Sequence, residues 1–484
     1  MNERLYRLYI GGQWLEAKSG RWFDVVNPAT EEVIARVPDA GVADIRLAID
    51  DAARIQPVWA QTTAGARSAI LGRAARLMIE RKEDLARILT LEEGKPIAEA
   101  RGEIAYAASF LEWYAEEAKR VYGDLIPASH PGKRIMVVRR PVGVTAAITP
   151  WNFPAAMITR KLGPALAAGC AMVVKPSELT PLTALEIARI FAECELPEGV
   201  LSVVPGMDAA ALGKAIMEDF RVRKVSFTGS TRVGKLLMRQ ASDTMKRLSL
   251  ELGGHAPFIV FADADLELAV EQAALCKMRG MGETCVSANR FYVHRDIADV
   301  FVQKLSERIG SMGMGDGASE GVQVGPLINR DAVAKVKRHV EDALEKGARV
   351  SLAGDAPAAD GKGYFYPPTV LTNVDASMLI MQEETFGPVT AVATFTEESE
   401  VIAMANETPY GLAAYCFTRD MARLFRLADQ LEYGIIGVND GVPSTAQAPF
   451  GGVKESGVGR EGGKYGIEEY LDVKYVSVGG VANV

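Results

Sequence analysis

The 484-residue chain has no apolar run near the roughly 20 residues that a membrane-crossing helix needs, so no such helix is expected. It has no surplus of positive charge either: 54 Lys and Arg against 62 Asp and Glu leave −8 at pH 7. That removes the electrostatic footprint of a nucleic-acid binder and any attraction to an acidic membrane surface. Cysteine is scarce and scattered. The five, Cys170, Cys194, Cys276, Cys285 and Cys416, form no C-x-x-C pair, which argues for reduced thiols rather than a disulfide framework. The four histidines, His130, His255, His294 and His339, are as dispersed, so neither a clustered Cys/His zinc site nor any other metal is expected. The start, Met1-Asn2-Glu3-Arg4, is charged and lacks an apolar core, so a cytoplasmic protein without a signal peptide is expected. What is there is ordinary globular composition, 48% hydrophobic and 24% charged, on a chain too long for one core. Two or three domains are expected.

Residues 1 to 40 read as short strands and turns, broken at Gly11-Gly12 and Asn27-Pro28. From about Ala43 to Val121 the pattern is helical. Ile70, Leu71, Ala74, Leu77 and Met78 make a 3.6-residue stripe, and a third helix over about Ile97 to Val121 carries Phe110, Leu111, Trp113 and Tyr114 as packing residues. Strand-like runs then begin near Val144, Met172, Leu201 and Lys224, separated by helical patterns at Ala155–Ala168, Leu182–Glu193 and Ala209–Met217. That spacing suits βαβ units and a parallel sheet covered on both faces. Right-handed crossovers place the strand C-terminal ends, and any ligand, along one edge. A second α/β run starts at Phe258–Val260 and continues to about Asn439. Arg134–Arg140 and Tyr470–Val478 alternate like exposed strands, and are expected to pair with another subunit rather than stay open.

The segments after the four strands carry Thr149-Pro150-Trp151-Asn152, Lys175-Pro176-Ser177-Glu178, Pro205-Gly206 and Thr228-Gly229-Ser230-Thr231-Arg232-Val233-Gly234. Backbone N–H groups at a Gly/Ser helix start suit a phosphate, and a lysine beside a carboxylate suits ribose hydroxyls. Any one of these is compatible with a plain turn; together they read as a dinucleotide crevice. The formal G-x-G-x-x-G match at Gly457–Gly462 has no strand leading into it and is rejected as a phosphate loop.

Cys285 sits in Arg279-Gly-Met-Gly-Glu-Thr-Cys-Val-Ser-Ala-Asn-Arg290, between a helical pattern (Leu266–Met278) and the strand-like Phe291-Tyr292-Val293. A thiol in a glycine-flanked connection is accessible enough to act, although a cysteine can equally be a small buried apolar residue. A cysteine nucleophile needs a base. No spacing supports His255; Glu251, ending a strand before Gly253-Gly254, is better placed, and Asn152 offers an N–H to an oxyanion.

Ile148-Thr-Pro-Trp-Asn-Phe-Pro154, Phe227-Thr-Gly-Ser-Thr231, Leu250-Glu-Leu-Gly-Gly254, Gly282-Glu-Thr-Cys285, Glu383-Glu-Thr-Phe-Gly-Pro388 and Pro449-Phe-Gly-Gly452 resemble, in order and over the full length, the aldehyde dehydrogenase superfamily. The resemblance implies two doubly wound parallel-sheet domains with a β extension. A dinucleotide-binding domain would span 1–122 and 142–252, a catalytic domain 253–455, and oligomerisation strands and linker 123–141 and 456–484. It implies Cys285 as nucleophile, Glu251 as base, Asn152 as oxyanion donor, and Lys161 with Glu461 as a charged relay pair. It implies a cofactor site from Ile148, Thr149, Pro150, Trp151, Lys175, Ser177, Glu178, Gly206, Gly229, Ser230, Gly234, Leu252, Glu384 and Phe386.

Arg160 stands where relatives acting on apolar aldehydes carry an apolar residue, and Arg279 lies six residues before the nucleophile. Two guanidinium groups in one pocket repel unless an anion joins them, and a carboxylate does so bidentately. With Ser444, Phe153 and Phe450 this set resembles the succinate-semialdehyde dehydrogenases. Glutarate semialdehyde or a broader aldehyde range stays open, because one methylene discriminates by only about 1–3 kcal/mol. Glu178 favours NAD over NADP by repelling a 2′-phosphate, and Lys175 leaves NADP open. A homodimer or homotetramer is implied. Cys285-Val286-Ser287 departs from the C-V-C of many such enzymes, so a disulfide switch is not expected, and Glu283 stands where Gln is commoner. A cofactor-free thiol hydrolase would leave the four loops unexplained, and an inactive binding relative would not need Cys285, Glu251 and Asn152.

Overall fold

Five parallel strands form the centre of the first sheet, in the order Arg247–Glu251, Val222–Thr228, Val144–Ile148, Met172–Lys175 and Leu201–Val203. Antiparallel strands close it, Gly457–Val458 on one side and the hairpin Leu8–Ile10/Gln13–Leu15 on the other. The runs VTAAI and MVVK are apolar without alternation because helices cover both faces of the sheet, and they are buried accordingly. Register sets Ile148 opposite Lys175 and Phe227, and Thr228 opposite Glu251, so these strand ends line up on one edge. The computed structural model describes residues 4–354 and 361–480. Residues 1–3, 355–360 and 481–484, with the charged start Met1-Asn2-Glu3 and the last part of the expected oligomerisation segment, lie outside the described residues.

Four helices precede the sheet, Val42–Gln61, Ala64–Glu80, Lys82–Glu93 and Ile97–Glu117, one more than the sequence pattern suggested. The extra break falls at Arg81, whose φ of −101° and ψ of 17° leave the helical region. Thr63 caps the second by accepting from Ala66 N. Phe110, Leu111 and Tyr114 are buried in the core and Trp113 packs on it, so these residues are packing.

The second sheet has seven strands in the order Arg349–Ala353, Thr369–Thr372, Val389–Phe395, Ala288–His294, Ala256–Val260, Ala413–Phe417 and Ile435–Val438, parallel except for the first. A third, small sheet corrects one expectation. Arg134–Pro141 and Leu471–Val478 pair with each other, antiparallel over their whole length, with Asp124–Ile126 on the other side. Their equal lengths and the return of the tail supply within one chain the partner that was expected from another. Among the described residues no helix is long and apolar enough to cross a membrane.

Candidate active site

The loop that presents Cys285 is built from backbone conformations few residues tolerate. The Leu266–Met278 helix, capped by Asp265, gives way to Gly280, Met281 and Gly282 at φ of 55°, 54° and 75°. Glycine adopts these freely; Met281 carries strain. A Cβ on Gly282 would strike the Gly387 carbonyl, and one on Gly254 the carbonyl of Cys285 itself. The second clash explains Gly254: only glycine lets that chain pass so close behind Cys285.

Cys285 is partly exposed on the wall of a cavity of about 360 Å³. Of the expected residues, Pro150, Trp151, Asn152, Gly229, Ser230, Leu252, Glu384 and Phe386 share that wall. Ser230, on that wall, caps the Thr231–Ala241 helix by accepting from Val233 N. Trp151 and Phe386 meet edge to face, with centroids 5.7 Å apart, and Phe386 holds a φ of 55°, an outlier for so large a residue. Glu384 accepts from Gly254 N at 2.9 Å, and desolvation pushes its carboxyl up to about 7.

The remaining expected cofactor residues lie outside this cavity. Ile148 ends its strand and leads through Thr149 to Pro150. Lys175 Nζ meets Glu178 Oε2 at 3.0 Å, and Ser177 Oγ accepts from Leu179 N. Gly206 and Gly234 are glycine for reasons of packing: an added Cβ would lie 2.6 Å from Ala40 O at the first and 2.5 Å from Leu252 Cδ2 at the second. The rejected Gly457–Gly462 run is an edge strand and a turn before a helix of six residues, Gly463–Glu468. A larger cavity of about 1170 Å³, bordered by Arg290, Tyr292, Arg349 and Met404, contains none of the expected residues.

The charges around the thiol set its chemistry. Burial pushes the Cys285 thiol up to about 12; Arg160 draws it down, while Glu384 and Glu251 oppose ionisation. Glu251 is buried, and neither carboxyl oxygen has a hydrogen-bond partner among the described residues. Burial first, and Glu461 second, hold that carboxyl well above the usual range. Asn152 Nδ2 spends one hydrogen on the Glu283 carbonyl at 2.8 Å, which orients the amide and leaves its second hydrogen. The Glu283 side chain accepts from Ile328 N at 3.3 Å, and burial first and Glu93 second hold its carboxyl well above the usual range.

Behind Glu251, Glu461 Oε1 receives Lys161 Nζ at 2.6 Å and Ser226 Oγ at 3.0 Å. Its Oε2 lies 2.8 Å from Arg160 Nε, a charge contact without hydrogen-bond alignment. Burial works against the charge of Glu461, yet Lys161 and Arg160 hold its carboxyl below the usual range. The premise that only an outside anion could hold Arg160 is therefore corrected: the protein supplies one. Arg160 is fully buried with Phe450 4.0 Å from its guanidinium, while half-buried Arg279 faces Phe153 at 5.0 Å. Neither arginine points into bulk solvent. Ser444 is half-buried in the segment before Phe450.

Several residues of the cavity wall were not anticipated, above all Lys335, Asn329 and Asp331 at the start of the Arg330–Glu345 helix. Their signal was an N-cap Asn followed by a charged first turn, which reads on sequence as any exposed helix start.

Comparison with known proteins matches the model of the "Aldehyde dehydrogenase family" over residues 14–476. The chain is 53% identical to a glutarate-semialdehyde dehydrogenase of Pseudomonas aeruginosa, over 98% of this chain and 97% of that one. It is also 53% identical to an NADP+-linked succinate-semialdehyde dehydrogenase of Escherichia coli, over 97% of each. The crystal structure of succinate-semialdehyde dehydrogenase from Burkholderia pseudomallei superposes with a TM-score of 0.96 at 52% identity, covering 98% of both chains.

Proposed function

The chain belongs to the aldehyde dehydrogenase family, and we propose that it oxidises a short ω-carboxy aldehyde, succinate semialdehyde foremost, to the dicarboxylate with NAD(P). The observation that carries this is one cavity wall on which Cys285, the Asn152 amide and the Gly229-Ser230 helix start stand together. Cys285 attacks the aldehyde carbon, and Glu251 is the base that takes the thiol proton. The carbonyl oxygen becomes an oxyanion held by the free hydrogen of Asn152 Nδ2 and by the Cys285 N–H. A nicotinamide dinucleotide bound in the cavity supplies the acceptor for the hydride that leaves the thiohemiacetal carbon. Glu251 then takes a proton from the water that attacks the thioester, releasing the acid and the thiol. Glu461, tied to Lys161 and electrostatically coupled to Glu251, receives protons from it.

The residues present suit a dinucleotide. The N–H groups that follow Ser230 suit its pyrophosphate, Lys175 and Glu178 one ribose, Glu384 the other, and the strained Phe386 a face of the nicotinamide. A carboxylate 3.0 Å from Lys175 supports NAD over NADP. Arg160 and Arg279, each against an aromatic ring, would hold the substrate carboxylate together with Ser444. The relatives' names support succinate and glutarate semialdehydes alike. Initial rates across an ω-carboxy aldehyde series, with NAD and with NADP, test the reading. Fastest turnover of an uncharged aldehyde, or no growth in nicotinamide absorbance, would overturn it, the latter in favour of a thiol hydrolase.

We further infer a cytoplasmic homo-oligomer. The Leu471–Val478 strand keeps one open edge, with Val473 and Tyr475 66% and 60% exposed, and edges of that kind are normally covered. Val473→Lys with Tyr475→Lys should yield monomers by sedimentation; an unchanged assembly would exclude this edge as the interface.

A further inference from the structure

The helix Ile97–Glu117 and the turn before it contain charges that packing does not require. Lys95, Glu93 and Glu103 are almost wholly buried, and Glu103 shares the apolar stripe of Ala100, Ile104 and Ala107. Burying such groups is costly unless each finds a partner. Here Lys95 and Glu103 pair with each other and reach the Asn152 segment, while Glu93 accepts from Lys95 N. Lys95 Nζ donates to the Asn152 carbonyl at 2.7 Å and to Glu103 Oε2 at 2.7 Å, lies 3.6 Å from Glu93 Oε1, and sits 4.0 Å over the Phe153 ring. Glu103 Oε1 accepts from Ala155 N and Ala156 N, at 2.9 and 3.2 Å, at the start of the helix that carries Arg160 and Lys161. Glu99 Oε2 accepts from Gly280 N at 2.7 Å, inside the loop that presents Cys285. One short stretch therefore grips the oxyanion donor with one hand and the nucleophile loop with the other.

We propose that Lys95, clamped by Glu103, is a positioning residue that fixes Asn152 relative to Cys285, with Glu99 holding the opposite side of the same gap. This rests on the reading of Asn152 as oxyanion donor. The Asn152 side chain bonds the Glu283 carbonyl, so its backbone must also be pinned if its remaining hydrogen is to meet an oxygen on the carbon attacked by Cys285. Lys95 supplies that pin without touching the substrate.

Lys95→Met alone strands the Glu103 carboxylate and can fail to fold, whereas Glu93 Oε2 keeps the backbone N–H of residue 95 at 2.8 Å in any variant. Lys95→Met with Glu103→Gln removes both charges and keeps the amide oxygen for Ala155 and Ala156. In the folded double variant kcat should fall about 10- to 100-fold, the scale of a misplaced or missing oxyanion donor. The KM for the aldehyde and the Kd for the nicotinamide cofactor should stay within about threefold. Alkylation of Cys285 by iodoacetamide, which needs no oxyanion donor, should be unchanged. Placed on Asn152→Ala, the same double change should cost nothing further in kcat, because both act on one hydrogen bond. Additive losses in that cycle, or an unchanged kcat beside a large Asn152→Ala effect, would overturn the proposal alone. An Asn152→Ala enzyme with full kcat would overturn the oxyanion reading, and this proposal with it.

Discussion

Replacing Arg279 by leucine is the cleaner test of the carboxylate grip, and the structure says why. Arg160 shares Glu461 with Lys161, so its removal alters the charge balance of the relay as well as the pocket. The Arg279 side chain makes no ion pair or hydrogen bond among the described residues; it rests on the Phe153 ring, half-buried. Its charge also eases the burial of the Glu99 carboxyl, which Lys95 and Gly280 N still hold once it is gone. A charge-assisted hydrogen bond contributes about 1.5–3 kcal/mol, or about 10- to 150-fold in kcat/KM, and partial exposure of Arg279 puts the expectation in the lower half of that range. The substitution also removes the cation–π attraction to Phe153, about 0.5–1 kcal/mol, but that weighs on every substrate and cancels in a ratio. The assay is therefore kcat/KM for succinate semialdehyde and for an uncharged aldehyde of equal length, in parent and variant. The ratio between the two substrates should fall about 10- to 30-fold. Equal losses on both would show that Arg279 shapes the loop and holds no substrate carboxylate.

Two further outcomes follow from the electrostatics. With the Cys285 thiol pushed up to about 12, its thiolate is scarce near neutrality, and burial raises the Glu251 carboxyl as well. Alkylation of Cys285 should rise with pH without a plateau below pH 8, and Glu251→Gln should remove the base-dependent limb of kcat; a plateau near neutrality would mean a thiolate stabilised by something else. Glu178→Ser, by removing the carboxylate beside Lys175, should shift the NADP/NAD ratio of kcat/KM toward NADP by about tenfold, or about 1.4 kcal/mol. An unchanged ratio would place the 2′ position elsewhere.

Much of this was legible because the fold repeats its signals. The four strands beginning near Val144, Met172, Leu201 and Val222 announced themselves as apolar runs followed by Gly, Pro or a charge, and the position of Glu251 before Gly253-Gly254 singled it out as a candidate base. What escaped were partnerships across the chain. Lys161 with Glu461 was expected as a pair, but nothing local to Arg160 revealed that the same distant carboxylate was its counter-charge too. The strands 134–141 and 471–478 were each read correctly as strands but not as each other's partner, since register between distant segments leaves no local mark. Lys95 escaped for another reason: a lysine between Gly94 and Pro96 looks like a solvated turn, and only Glu103 on an otherwise apolar stripe hinted that charge was being taken inside.

The same burial that tunes the site should make it costly to fold, and Glu251 is where that cost is most exposed. Both of its oxygens lack partners among the described residues, and its carboxyl is raised above its unfolded value by burial and by Glu461. A carboxyl shifted upward binds its proton more tightly when folded, so its contribution is most favourable in acid and is lost as pH rises through and beyond the ordinary carboxylate range. Glu251→Leu, similar in volume, removes both the orphaned oxygens and the titration. It should therefore abolish turnover yet stabilise the fold by about 1–3 kcal/mol, with the gain in guanidinium midpoint wider at pH 9 than at pH 5. If the parent were the more stable protein at pH 9, Arg160 and Lys161 would be compensating Glu251 as an anion, and the carboxyl could not be the reluctant base that the mechanism uses.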